Sequence, residues 1–256
     1  MGAVSIIPAQ LPVPADTEIC MPTSEPPCPH VVVERSPAGY LRVLLDRRQR
    51  RNALDAGMVR VLIDALSADP AAVVVLGSTD PASFCAGADL TLTAAERSAV
   101  SDLLYECYEL MVSRPGPVVA TIGGAAVGGG AQLAAAADLR IAGPAARMRW
   151  AGPPGMQLPV GAWVLPSLTS RSVAMDLTLT GRWVEAAEAL ALGLVNRIDD
   201  DPAQAAAAIA EALLVRGPDA LGAIKMVMST DGLLGRLHAE RESSRVAWAQ
   251  ALAQRR

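Results

Sequence analysis

Aromatic side chains are scarce, with one Phe, three Tyr and four Trp making up 3% of 256 residues. Charge is thin as well: Asp, Glu, Lys and Arg account for 19% of the chain, with a net charge of −4. A chain with neither a basic field nor a supply of stacking rings is poorly built to hold a phosphate backbone or unpaired bases, so no nucleic-acid partner is expected. Histidine and cysteine are equally sparse. His30 and His238 stand far apart, and Cys20, Cys28, Cys85 and Cys107 form no CxxC pair and no zinc-type spacing. No metal is expected, and the thiols read as buried or incidental in a reducing compartment.

Two uncharged runs are long enough to test against a bilayer. The first, from Pro115 to Ala137, is crowded with Gly123, Gly124, Gly128, Gly129 and Gly130; the second, from Trp150 to Ser170, is broken by Pro153, Pro154, Pro159 and Pro166. Neither reads as a membrane span. The first residues lack the basic start and apolar core of a signal peptide, and Ile6 stands where a myristoylation signal needs Ser or Thr. A cytoplasmic location is expected.

What is present is aliphatic. Hydrophobic residues reach 52% of the chain, enough for one large, heavily buried globule. Residues 1–29 are punctuated by prolines and read as a flexible tail. From His30 the texture changes. His30–Glu34 and Tyr40–Leu45 read as a hairpin across the Ser36–Gly39 turn, and Asp55–Ser67 as an amphipathic helix. Ala71–Leu76, Pro117–Ile122 and Leu139–Ala142 read as buried strands, with helices over Leu92–Val112 and Gly130–Ala137. This alternation predicts an α/β domain with a largely parallel sheet. Beyond Arg171 the pattern is helical: Ser172–Leu179, Val184–Ala191, Pro202–Val215, Pro218–Ser229 and Leu233–Leu252. The last carries an apolar stripe of Leu233, Leu234, Leu237, Val246, Trp248 and Leu252, which fits packing within the chain or against another subunit.

Two glycine-containing turns hold the chemistry. One is Phe84-Cys85-Ala86-Gly87-Ala88-Asp89-Leu90; the other runs from Gly123 to Gln132 and includes Gly128-Gly129-Gly130. The second follows a strand and opens a helix, where unpaired N–H groups sit at the positive end of the helix dipole. The place suits an anion, though glycines there also serve simply for close packing. No Gly-Lys-Ser/Thr follows and no GxGxxG spacing is met, so it is neither a P-loop nor a dinucleotide fingerprint.

Other segments join them in order: Arg51-Asn52-Ala53-Leu54 opening a helix, Leu133-Ala134, Ala137-Asp138-Leu139-Arg140-Ile141-Ala142, Leu179-Thr180-Gly181, and Ala191-Leu192-Gly193-Leu194-Val195-Asn196. Together, from about His30 to the C-terminus, they resemble the enoyl-CoA hydratase/isomerase (crotonase) superfamily. The resemblance implies a spiral of repeated ββα units over residues 30–200 and a C-terminal helical region over 201–256. It also implies assembly as a trimer or dimer of trimers, and an acyl-CoA thioester as substrate or ligand with no separate cofactor. In that family the thioester oxygen lies between two backbone N–H groups, one from each turn; these fall here on Ala88 and Gly129. Arg51, Asn52, Ala53, Leu54, Ala86, Asp89 and Leu90 fall where the CoA is held. Arg47, Arg48, Arg50 and Arg51 fit its phosphates or, equally, a solvated surface cluster.

The resemblance breaks at the acids. Hydratases of the family carry one glutamate just after the triple glycine and a second beyond the following strand; here those positions hold Gln132 and Gly152. An amide neither takes nor gives a proton at neutral pH. Ordinary enoyl-CoA hydration is therefore doubtful, whereas isomerisation and decarboxylation depend least on the missing pair. A non-catalytic acyl-CoA carrier or sensor is the alternative. Tyr105 and Tyr108, on the helix after the first turn, and Trp150 and Trp163, flanking Gly152, are candidates for the acyl pocket or for plain packing.

Overall fold

The computed structural model describes residues 29–153, 155–156, 158–229 and 232–253. The proline-rich stretch before Pro29, with Cys20 and Cys28, lies outside the described residues.

The chain opens as the expected hairpin, β1 (Val31–Arg35) and β2 (Leu41–Leu45), in register Val33 to Val43. A 3-10 turn then leads into α1 (Ala56–Ala68), whose N-cap Asp55 side chain accepts from the Met58 N–H. Met58, Val59, Leu62, Ala65 and Leu66 form its buried stripe. Three strand pairs follow: β3 (Val74–Ser78) with β4 (Ser83–Cys85), β5 (Val118–Ile122) with β6 (Ala125–Val127), and β7 (Leu139–Ala142) with β8 (Arg147–Arg149). Between the first two lies α2 (Ala94–Ser113), started by a reciprocal Thr93–Glu96 capping box. Between the second and third lies α3, Gly129–Ala135.

Each pair splits between two sheets. The first members join the order β1-β2-β3-β5-β7 and the second members the order β4-β6-β8, all parallel from β2 onward. The chain therefore winds as a spiral of ββα turns, the architecture the resemblance implied. The strands β4, β6 and β8, absent from the sequence pattern, are three residues long and too short to show alternation. The strand expected over Ala71–Leu76 sits later, at Val74–Ser78, because its ladder with β5 begins at Val74 opposite Val118.

The rest of the chain is α4 (Leu165–Leu168), α5 (Arg171–Thr180), β9 (Val184–Glu185), α6 (Ala186–Ala191), β10 (Arg197–Ile198), α7 (Pro202–Arg216), α8 (Pro218–Met228) and α9 (Leu233–Ala253). Strands β9 and β10 extend the two sheets at their edges. Ala206 and Ala210 of α7 pack on Val73, Val75, Val119 and Ile141, covering the outer face of the larger sheet. That cover explains the apolar stretches Val74–Leu76 of β3 and Val118–Ala120 of β5. Helix α9 lies along α2. Helices α7 and α9 thus pack within the chain.

Candidate functional site

The two glycine turns meet through their glycines. A Cβ on Gly87, at φ +85°, would stand 2.8 Å from the Val127 carbonyl oxygen and 3.3 Å from the Gly129 nitrogen. One on Gly130 would overlap the Cys85 carbonyl and side chain. Side chains at either position would force the turns apart, so the small residues are a condition of their contact.

That contact leaves two amides without work inside the protein. Leu54 N–H donates to Gly87 O at 2.8 Å and Asp89 N–H to Leu54 O at 2.9 Å, a parallel bridge that turns the Ala88 N–H to the opposite side. Gly129 is the first residue of α3, following Gly128 at φ +56°, and its N–H is one of the helix's orphan donors. Among the described residues neither N–H has an acceptor. Ala88 and Gly129 both line one cavity of about 270 Å³, whose wall is mostly apolar and also includes Ala86, Leu90 and Gly152.

The first turn is held from behind. Asn52, fully buried at φ +55°, donates to Ser78 Oγ at 2.6 Å, Ser83 O at 3.2 Å and Phe84 O at 3.1 Å, and accepts from Arg47 N at 2.7 Å. Asn52→Ala is expected to lower stability by about 2–3 kcal/mol in urea unfolding, because several buried partners are orphaned at once. Leu54 is also fully buried, Ala53 nearly so, and Arg51 exposed. Asp89 is 2% exposed and paired with Arg47 at 2.8 Å. Burial works to raise its carboxyl, but hydrogen bonds from Thr91 and the Arg47 guanidinium outweigh it and hold the group below the usual carboxylate range. Of the residues placed at the CoA by resemblance, Ala86 and Leu90 reach the cavity wall, while Asn52, Leu54 and Asp89 spend their side chains inside the protein. The Cys85 thiol donates to Asn52 O at 3.1 Å and burial pushes it up to about 12, leaving it a structural group.

Tyr105 and Tyr108 line the cavity with Gln132, whereas Trp150 and Trp163 stand behind its wall. Tyr108 OH donates to Gly129 O at 2.8 Å and its ring stacks on Trp163, with centroids 5.8 Å apart. Gln132 Oε1 accepts from Trp163 Nε1 at 2.6 Å. At Gly152 there is no room to spare: a Cβ would meet Leu158 Cβ at 3.2 Å.

A carboxyl that the sequence pattern did not single out stands beside this group. Glu240 of α9 is 4% exposed, and it accepts from Trp163 N at 2.7 Å, Gly161 N at 3.2 Å and Tyr105 OH at 3.0 Å. Its signal in the sequence is spacing: Leu237, Glu240, Ser244 and Trp248 recur at helical intervals, and all four are buried. Arg97 also reaches the cavity wall, its guanidinium 5.6 Å from the centre of the Trp248 ring. Among the described residues no group of His, Cys, Asp and Glu is placed to hold a metal, and no helix is long and apolar enough to cross a membrane.

The sequence model of the enoyl-CoA hydratase/isomerase family matches residues 35–250, a span that contains both turns, α2 and most of α9. The chain belongs to that family. A Thermus thermophilus protein named "Putative enoyl-CoA hydratase" is 36% identical over 200 residues, 73% of this chain and 79% of the relative. The Arabidopsis thaliana "Probable enoyl-CoA hydratase 2, mitochondrial" is 36% identical over 174 residues, which span 63% of this chain and 57% of that longer protein. Among solved structures, an enoyl-CoA hydratase from Bacillus anthracis superposes with a TM-score of 0.72 at 27% identity, covering 89% of this chain and 97% of the other. In this enoyl-CoA hydratase/isomerase family member the cavity wall carries an amide at residue 132 and no side chain at 152, and a buried acid arrives behind Tyr105 from α9.

Proposed function

We propose that this family member binds an acyl-CoA thioester with its carbonyl oxygen between the N–H groups of Ala88 and Gly129, and stabilises the enolate of that thioester. The observation that carries the reading is the convergence of two unpaired amides on one mostly apolar cavity. Preorganised donors of this kind act where negative charge develops, and Gly129 has the positive end of α3 behind it. The acyl chain lies against Tyr105, Tyr108 and Leu158, and the CoA phosphates lie toward the exposed Arg50 and Arg51. No further cofactor takes part.

In this reading Gln132 and Gly152 stand at the positions where a hydratase of the family carries its two acids. Each such group is worth about 10²–10⁴ in rate. Crotonyl-CoA hydration is accordingly expected to run at least about 100-fold below that of an ordinary hydratase of the family, followed by the loss of enoyl absorbance. Chemistry that passes through the enolate without adding water, such as isomerisation or decarboxylation, suits the remaining groups. The test is a panel of acyl-, enoyl- and malonyl-type CoA esters, with binding read by calorimetry and products by mass spectrometry. Binding with product supports the enzyme, binding without product favours a carrier or sensor, and no binding overturns both.

The reading extends to a cytoplasmic homo-oligomer, a trimer or dimer of trimers. Ile224, Met226 and Met228 of α8 are 53–76% exposed, an apolar surface suited to subunit contact. Light scattering on the purified protein tests it.

A further inference from the structure

We propose that Tyr105 exchanges a proton with the α-carbon of the bound thioester, and that Glu240 acts through Tyr105 as the residue that stores the proton. The proposal rests on the thioester reading above and supplies the proton carrier that Gln132 and Gly152 cannot. Tyr105 lines the same cavity as Ala88, Gly129 and Gln132, and its hydroxyl bonds Glu240 Oε1 at 3.0 Å and Ser244 Oγ at 2.9 Å. Glu240 has no cationic partner among the described residues, although it is almost wholly buried. A buried carboxyl that is hydrogen-bonded but unpaired with a cation is poised to change its protonation, whereas a structural ion pair is not.

The surroundings support a titration near neutrality. Facing Glu240, α2 presents Tyr105 and Tyr108. Farther along α2, Asp102 is taken by Arg241 and Arg245, and Glu109 by His238. The 158–164 segment and α3 present no titratable side chain. Burial pushes the Glu240 carboxyl up to about 7, against the hydrogen bonds from Trp163, Tyr105 and Gly161 that favour its charged form. Burial and the Glu240 charge raise Tyr105 above the ordinary phenol range, so it passes a proton on and does not hold a charge itself.

The step is a shuttle. The Cα–H bond breaks and its electron pair enters the enolate, whose oxygen rests on the amides of Ala88 and Gly129. The proton goes to Tyr105 Oη as the proton already on that oxygen passes to the Glu240 carboxylate. The reverse sequence returns a proton to carbon and leaves Glu240 ionised. Nothing is oxidised or reduced.

The test is deuterium uptake at the α-carbon of 3-butenoyl-CoA in D2O, read by mass spectrometry across the neutral pH range, with binding measured in parallel by calorimetry. Because abstraction needs the carboxylate form of Glu240, wild-type uptake is expected to rise with pH and level off above about 7. Tyr105→Phe, which keeps the packed ring, is expected to lose about 100-fold in uptake with affinity changed less than about threefold. Glu240→Gln is expected to lose about tenfold or more and to abolish the inflection. Wild-type binding without uptake above the blank overturns the shuttle and leaves the thioester reading standing. So does a Glu240→Gln or Tyr105→Phe profile that matches wild type. No binding by the wild type overturns both.

Discussion

Replacing Gly129 by proline is expected to slow enolate chemistry on a bound thioester by about 10²–10³-fold while the protein stays folded. The substitution removes one hydrogen atom that matters. Gly129 is the first residue of α3, a position whose N–H has no partner in the helix and where proline's fixed φ is welcome. The residue before it, Gly128, is at φ +56° and ψ −119°, so the restriction that proline places on its neighbour falls on a glycine. The added carbon at Cβ would meet Leu104 Cδ1 at 3.0 Å and Tyr108 Oη at 3.4 Å, the ends of side chains.

Gly129→Ala separates the two effects, since it adds the same Cβ and keeps the N–H. It is expected to retain most of the rate. The readouts are α-deuterium uptake into 3-butenoyl-CoA and calorimetric affinity for acetoacetyl-CoA, a ligand with an enolate form. A hydrogen bond to a charged oxygen is worth about 1.5–3 kcal/mol, so acetoacetyl-CoA affinity is expected to fall roughly 10–100-fold in Gly129→Pro. The pH inflection assigned to Glu240 stays in place, because that group is not touched. Equal losses in the alanine and proline variants would assign the effect to packing and remove the amide from the mechanism.

The two turns stood out in the sequence because exposed backbone needs no particular side chain, only its absence; the choice of Ala88 and Gly129 within them came from the family resemblance. Runs such as Gly128-Gly129-Gly130 and Ala86-Gly87-Ala88 state that absence directly. The strands β5 and β7 were legible for a related reason: covered on both faces, they read as largely apolar segments close to their true limits, each interrupted by a single polar residue, Thr121 or Arg140. What escaped was the second sheet. Each of β4, β6 and β8 contributes three residues, held in place by neighbours distant in sequence and not by any local pattern. Glu240 escaped for a different reason. The apolar stripe on α9 was drawn through Val246, nine positions from Leu237 and so about half a turn away at ~100° per residue, and Val246 is 49% exposed. The buried face instead runs through a glutamate and a serine, residue types that read as surface until Tyr105 and Trp163 are seen to meet them.

Asp138→Ala is expected to cost about 3 kcal/mol of stability in denaturant unfolding, at the lower end for breaking a buried pair because Asp138 retains partial access to water. Asp138 follows α3, and its Oδ2 accepts from Val118 N at 2.7 Å at the start of β5 and from Lys225 Nζ at 2.7 Å. Lys225 comes from α8, is 7% exposed, and donates also to Met111 O at 2.7 Å and Gly116 O at 3.3 Å. The Asp138–Lys225 pair thus joins the end of α2, the start of β5 and a C-terminal helix. Burial lowers the Lys225 pKa, with Asp138 opposing the shift. Removing Asp138 leaves the ammonium desolvated and lowers the folded-state pKa further. Between that value and the unfolded lysine pKa of about 10.4 the unfolded chain binds the extra proton, so stability of Asp138→Ala rises with pH through this window. At neutral pH the full penalty is expected, and it shrinks relative to wild type as the solution becomes alkaline. Lys225→Met in the Asp138→Ala background removes the stranded charge and is expected to recover more than 1 kcal/mol, about what replacing a buried pair by apolar groups allows. A loss that neither eases with rising pH nor recovers in the double variant would mean that Asp138 acts only as the acceptor for Val118.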